Sequence, residues 1–312
     1  MRELRKKIIS LISYLPALLY NSLKLKQLTH QLGIDLILVN DFYNLLPAAY
    51  KIFGGALPYV CYVRFLPSKF PRQLVKFWCA WHQRYASRTI AVSEIVKKEL
   101  PYKKNITVIG NELPADEVPF TTSNGAATIL YPANYIQGKG HEFALEAFSL
   151  VSTKYPKWKL IFVGGDMGLK KNQDFKQVLV AMASRLKLQA QLEWHSFAEN
   201  ISQEYLSAAI VLNFSESESF SLTCLEAMFY GRPVIATRSG GPSEIIDHNE
   251  SGILVDVKDV EAMARALDEL MSSPEKREQM GRLAYARVRE KFSYQNTIVR
   301  LGEVYKASIK DY

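Results

Sequence analysis

Six short apolar runs, separated by stretches of helical period, fill residues 128–257 and leave few folds open. The runs are TILYPA (128–133), WKLIFVG (158–164), QLEWHSF (191–197), AIVLNF (209–214), PVIATR (233–238) and GILVDV (252–257), with helical stretches such as HEFALEAFSLVSTKY and DFKQVLVAMASRLK between them. A strand covered on both faces reads as a continuous apolar run rather than an alternating one, and parallel neighbours need a long crossover between them. The pattern predicts an α/β fold: a parallel sheet with helices on both faces, its six strands making one complete nucleotide-binding-type domain.

Four further runs precede this block: IDLILVN (34–40), PYVCYVR (58–64), RTIAVS (88–93) and ITVIG (106–110). They predict a second, shorter α/β domain. No glycine-rich strand-to-helix turn opens it, since the first glycine is Gly33. Between the two regions, ELPADEVPFTTSNGA (112–126) has the composition of an interdomain linker. Two consecutive helices close the chain, with Pro274 at the start of the first. Charge divides along the same seam. Residues 1–110 carry 17 Lys+Arg against 5 Asp+Glu, and residues 111–312 carry 22 against 26. That asymmetry points the first half toward an anionic partner: nucleic acid, anionic lipid headgroups or a phosphorylated acceptor all fit the charge alone. No nucleic-acid motif accompanies it, so nucleic acid is not expected.

The chemistry concentrates where strands are expected to end. After AIVLNF comes SESESFSLTCLE, predicted to turn into a helix from about Ser219 to Tyr230, capped by Ser217 or Ser219. The free amides of its first turn, from Phe220 to Thr223, favour an anion such as a diphosphate. Glu218 precedes the helix and Glu226 lies eight residues on, roughly 12 Å along an axis rising 1.5 Å per residue. Two readings stand for these glutamates: a cap and a solvated face, or one carboxylate at a reacting sugar and the other at ribose hydroxyls. A second loop carries Gly138-Lys139-Gly140, an uncrowded cation suited to phosphate but not a P-loop. GGPSEII (240–246) and FVGGDMG (162–168), which includes Gly164, place further glycines at strand ends. All four loops follow strands of one predicted sheet and so converge on its carboxyl edge, where such sheets bind ligands.

The block ESFSLTCLEAMFYGRPVIATRSGGPSEII resembles the E-x7-E signature of retaining glycosyltransferase family 4, of GT-B architecture. The preceding GKG, AVSE at 91–94 and the final FSYQNTIVRLGEVY are similar to that family's layout, and the resemblance spans roughly residues 30–306. It implies two Rossmann-like domains facing a cleft: an incomplete acceptor-side domain (1–112), a donor domain (113–290) and a C-terminal helix (291–312) packing back on the first. It further implies a UDP- or GDP-linked sugar donor, transfer with retention to a glycan or lipid-linked acceptor, and no metal or other cofactor. Lys139 then neutralises the diphosphate, Glu218 meets the donor sugar and Glu226 holds the ribose. Asn134, Gly138, Gly164, Phe197, Ser219, Phe220, Ser221, Leu222 and Thr223 complete the donor set. Three departures stand out: Asn134 replaces the usual arginine, Ser221 replaces the usual glycine, and the opening strands of the first domain are not found. Arg64 also stands where many relatives carry histidine. With Asp41 it makes up the expected acceptor side.

Other residues divide less sharply. His82 reads as structural. His141 fits either phosphate contact or a hydrated helix start, and His195 lies near the expected crevice. Cys61, Cys79 and Cys224 read as buried, unreactive thiols of a reducing cytosol. The basic, apolar stretch through residues 1–26 fits either peripheral contact with an anionic membrane or a helix over a sheet edge, with Pro16 kinking or ending it. It lacks a convincing leader cleavage site. The expected location is cytoplasmic, or peripheral on the inner membrane face. A different class of function also fits the departures: a weak or inactive donor-binding module that needs a partner chain to complete its acceptor domain.

Overall fold

All ten apolar runs form strands, each a little shorter than its run. Phe214, one residue beyond its strand, is fully buried. The computed structural model describes residues 2–113, 118–122, 127–198 and 200–311, with side chains from Tyr14 onward. These residues divide into two compact units, one of residues 1–110 with 297–312 and the other of residues 111–296.

The first unit carries a four-stranded parallel sheet of β1 (Ile37–Asn40), β2 (Tyr59–Val63), β3 (Arg88–Ala91) and β4 (Ile106–Val108), in that spatial order. Every residue of β2 is buried, as expected of a strand paired on both sides. A 30-residue helix, Arg2–Gln31, leads into β1. It runs through Pro16, so of the two expected effects, a kink or an end, the proline does not end the helix: it removes one backbone bond, and the turns beyond it continue. The side chains of Arg5, Lys6 and Lys7 lie outside the described residues. The last helix, Tyr294–Lys310, ends in this unit: Arg300 donates to the Val108 carbonyl at 2.6 Å, and Arg88 pairs with Asp311.

The second unit carries β5 (Thr128–Pro132), β6 (Lys159–Val163), β7 (Leu192–His195), β8 (Ile210–Asn213), β9 (Val234–Thr237) and β10 (Ile253–Val255). Their order is β10-β9-β8-β5-β6-β7, all parallel. The chain winds outward from β5 through β6 to β7, returns to β8 on the other side of β5, and continues to β10. That reversal creates a switch point between β5 and β8, where loops leave in opposite directions and open a crevice. The sheet contributes Ile129, Leu160, Phe162 and Leu212 to the core, and the helices His141–Val151 and Val260–Ser272 contribute Leu145, Phe148, Met263 and Leu267. Each such side chain is worth about 1.5–3 kcal/mol when fully removed from water.

The expected linker behaves differently. Residues 114–117 and 123–126 lie outside the described residues, but the described part, 118–122, packs on the second unit. Phe120 meets the Tyr285 ring edge-on at 5.8 Å, and buried Arg232 donates to Thr121 Oγ1 at 2.9 Å. The polar composition hid one aromatic anchor.

Candidate functional site

The loop after β5 is held rigid from beneath. The Tyr131 hydroxyl donates to the Lys139 carbonyl at 2.6 Å and accepts from the Phe214 amide at 3.0 Å, so one buried phenol ties it to the loop after β8. The Glu216 amide donates to the Gly138 carbonyl at 2.9 Å and closes a second tie. Gly140 has φ 79°, and a Cβ there would fall 2.1 Å from the Phe214 carbonyl oxygen. Gly140 therefore lets two loops touch. Gly164 does the same after β6, where a Cβ would meet the Ala133 carbonyl oxygen at 2.0 Å. Asn134 accepts from the Gly165 amide at 2.9 Å, so the residue standing in for arginine joins these same loops.

Glu218 is fixed through its backbone. Its amide donates to Ser239 O at 2.8 Å, its carbonyl accepts from the Gly241 amide at 2.9 Å, and it bridges Gly240. The glycines of GGPSEII thus position Glu218. Its carboxylate accepts from Lys139 Nζ at 2.7 Å.

The helix following Glu218 starts later than expected, at Leu222, and ends at Phe229. Its cap is Ser221, not Ser217 or Ser219: the Ser221 hydroxyl accepts from the Cys224 amide at 3.3 Å and from Asn213 Nδ2 at 2.8 Å. Ser221 does so at φ 90°, a conformation that favours glycine. The 12 Å separation expected along a helix therefore does not apply, since Glu218 belongs to the loop and only Glu226 to the helix. Glu226 Oε2 accepts from the buried Tyr205 hydroxyl at 2.9 Å. Burial pushes the Glu226 carboxyl above its usual range, and the Tyr205 bond offsets part of this.

These groups surround a cavity of roughly 450 Å³, the size of a small-molecule site. Of the expected donor set, Asn134, Lys139, Gly164, Phe197, Glu218, Leu222, Thr223 and Glu226 line it. Gly138, Ser219, Phe220 and Ser221 are not on its wall. Gly138 and Ser221 act through the bonds just described, and buried Phe220 packs edge-on against Phe292 at 5.7 Å. Tyr205, Asn213 and Ser215 line the cavity without having been expected. The signal for Asn213 and Ser215 was present, since both sit where β8 ends. Tyr205 follows no spacing rule and is placed only by the fold.

None of the histidines lines the cavity. His82 is buried between the Tyr59 hydroxyl and the Phe42 carbonyl. His141 is neither hydrated nor at the cavity wall: it is fully buried among Tyr131, Tyr135 and Phe162, bonds to Ala133 O at 3.2 Å, and is pushed down to about 4 by burial. His195 lies between Glu193 and Glu204. The three thiols are buried, and burial raises all three, Cys79 and Cys224 to about 12, which keeps them protonated. Among the described residues, no three His, Cys, Asp or Glu side chains converge to hold a metal, and no helix is long and apolar enough to cross a membrane.

In the first unit, Asp41 follows β1 at φ 68° and is 3% exposed. Its Oδ1 accepts from the Arg64 and Phe65 amides at 2.7 and 3.0 Å, which shapes the exit of β2. Burial raises its carboxyl, and those two bonds work against the rise. The Arg64 guanidinium lies 4.1 Å above the Tyr62 ring.

Comparison with known proteins places these observations. A family model described as "Glycosyl transferases group 1" matches residues 116–287, more than half of the chain. An uncharacterized glycosyltransferase of Haemophilus influenzae is 25% identical over 263 residues, 81% of this chain and 71% of that protein. The D-inositol 3-phosphate glycosyltransferase of Corynebacterium urealyticum is 31% identical over 173 residues, 54% of this chain, which spans only 40% of that relative's length. Among solved structures, Anabaena HepE in complex with UDP and glucose superposes with a TM-score of 0.81 at 21% identity, covering 90% of this chain and 80% of that one. This likeness carries the two-sheet GT-B fold.

Proposed function

Because the chain belongs to the group 1 glycosyl transferases, we propose that the cavity of the second unit holds a UDP- or GDP-linked sugar, and that the protein transfers this sugar with retention to a glycan or lipid-linked acceptor in cell-surface polysaccharide or glycolipid synthesis. The observation that carries this reading is the placement of one cation and two carboxylates, Lys139, Glu218 and Glu226, around a single crevice at the switch point of a parallel sheet. Lys139 has three N–H donors and gives one to Glu218, which leaves two for diphosphate oxygens. The first-turn amides at Leu222 and Thr223 add partial positive charge on the same side. Glu226, deeper and against Tyr205, suits paired ribose hydroxyls. Glu218 suits hydroxyls of the sugar.

In the reaction so assigned, the bond from the anomeric carbon to the diphosphate breaks and a bond to the acceptor oxygen forms on the same face. The acceptor proton passes to the departing diphosphate. The protein positions both partners and stabilises the charge that develops on the leaving group. No metal enters this scheme, and chelation is expected to leave turnover unchanged. Donor hydrolysis and transfer by Glu218→Ala and Lys139→Ala variants test it: both rates fall if the assignment holds, and wild-type rates in both variants would remove it.

On the acceptor side the candidates remain Asp41, which holds the β2 exit in place, and Arg64, which offers a guanidinium to an anionic acceptor group. The helix Arg2–Gln31 exposes Leu15, Tyr20 and Leu23 beside Lys24 and Lys26. That combination fits peripheral contact with an anionic membrane on the cytoplasmic side. Flotation with vesicles of phosphatidylglycerol, against vesicles of phosphatidylcholine, tests this placement: binding only the anionic vesicles supports it.

A further inference from the structure

Tyr205 lies on the short helix Ser202–Ser207 and is 1% exposed, yet it borders the cavity. Its hydroxyl donates to Glu226 Oε2 at 2.9 Å. Its ring stacks on that of Tyr230, with centroids 5.4 Å apart and planes 12° from parallel. The Tyr230 hydroxyl in turn lies 2.7 Å from Ser202 Oγ, one turn before Tyr205 on the same helix. Tyr230 stands one turn beyond Glu226, at the end of the helix Leu222–Phe229. Two rings and two hydrogen bonds thus lock these helices together around one carboxylate.

A glutamate side chain has three rotatable bonds, and an unrestrained one must be ordered when a ligand arrives. A phenol that is already bonded to one carboxylate oxygen orders it in advance and keeps it ionised through a charge-assisted bond. We propose that Tyr205 is a positioning residue for the nucleotide: it fixes Glu226 so that Oε1 meets the paired hydroxyls of the ribose. The proposal rests on the donor reading above and adds to it the source of ribose selectivity. The action of Tyr205 passes through Glu226, so its loss is felt only by ligands that use that carboxylate.

The test titrates the intact chain calorimetrically with UDP, or GDP where that binds more tightly, and with the matching 2′,3′-dideoxynucleoside diphosphate. The wild type is expected to prefer the hydroxylated ligand by at least about ten-fold, the scale of a hydrogen bond to a charged group. Tyr205→Phe is expected to weaken that ligand roughly 5–30-fold and the dideoxy ligand less than about two-fold, so that the preference collapses. Unchanged dideoxy binding also shows that the variant is folded. Equal weakening of both ligands, or an undiminished preference, would overturn the proposal. Glu226→Gln separates this failure from that of the donor reading. If it loses the preference while Tyr205→Phe keeps it, only the role of Tyr205 falls. If both keep it, or if neither nucleotide binds the wild type, the ribose assignment itself falls. Should Tyr205→Phe not fold, Ser202→Ala, at a half-buried position, loosens the same helix and is expected to cut the preference two- to five-fold, roughly. An undiminished preference there would overturn the proposal equally.

Discussion

Lys139 Nζ lies 2.7 Å from Glu218 Oε1 and joins the loop after β5 to the loop after β8 across the switch point of the six-stranded sheet. Both loops are tied to each other through backbone as well, so the ion pair is held in place rather than formed by two mobile side chains. Its partners are unequally accessible: the Glu218 side chain is 13% exposed and Lys139 35%. The lysine can therefore turn its remaining donors to a ligand while the carboxylate stays put. Lys139→Ala is expected to weaken nucleotide-sugar binding by roughly 10–100-fold, the scale of a hydrogen bond between charged groups. Glu218→Ala, which removes the proposed sugar contact, is expected to lower kcat more than it raises KM. Steady-state kinetics of the two variants checks both statements.

Ser221 occupies a backbone conformation that glycine adopts freely, and its hydroxyl compensates by accepting two hydrogen bonds. Ser221→Ala keeps the strain, loses a cap worth about 1 kcal/mol and leaves the buried Asn213 amide without that acceptor, for a total of about 2–3 kcal/mol. The melting temperature is expected to fall by roughly 4–10 °C. Ser221→Gly loses the same bonds but relieves about 1–2 kcal/mol of strain, so it is expected to lie about 0–2 kcal/mol below the wild type. Calorimetric melts of both variants check the ranking, with alanine clearly below glycine.

Gly140 and Gly138 both have positive φ but differ in what surrounds them. A Cβ at Gly140 would strike backbone at 2.1 Å, and one at Gly138 would meet nothing within 4 Å. Gly140→Ala is expected to cost more than about 3 kcal/mol and to displace Lys139, whereas Gly138→Ala costs about 1 kcal/mol of conformational strain. Denaturant unfolding of the pair measures the difference.

Glu226 makes stability depend on pH in a set direction. Burial raises its carboxyl in the folded chain above the ordinary 4.5, so the native state holds the proton more tightly than the unfolded chain. Stability then falls as pH rises from 4.5 through the folded value. Glu226→Gln removes the charge and retains an acceptor for Tyr205. It is expected to melt higher than the wild type above the folded value and to lose that advantage below 4.5. Melts across pH give the curve directly.

The strands were legible because continuous apolar runs admit few alternatives, and the sheet's carboxyl edge then followed from the loops after β5, β6, β8 and β9. The start of the helix after β8 was not legible. Ser217, Ser219 and Ser221 can all cap, and nothing in a serine announces positive φ. Lys139 and Glu218 were found by residue type, but their pairing required the two loops to be tied by Tyr131, whose buried hydroxyl looks in sequence like any strand tyrosine. His141 was misread for the same reason: packing against β5 and β6 buries a residue that local sequence leaves at a polar helix start. Phe120 shows the converse, one half-buried aromatic anchor that fastens part of a linker-like segment against Tyr285.

The most direct measurement is calorimetric titration of UDP and GDP, each against its nucleoside without phosphates, into the wild type and Lys139→Ala with a chelator present. If the cavity reads a nucleoside diphosphate through Lys139, the wild type binds one diphosphate at least about ten-fold more tightly than its nucleoside, and Lys139→Ala loses most of that difference. Failure of both diphosphates to bind, or a diphosphate preference that survives in Lys139→Ala, would contradict it.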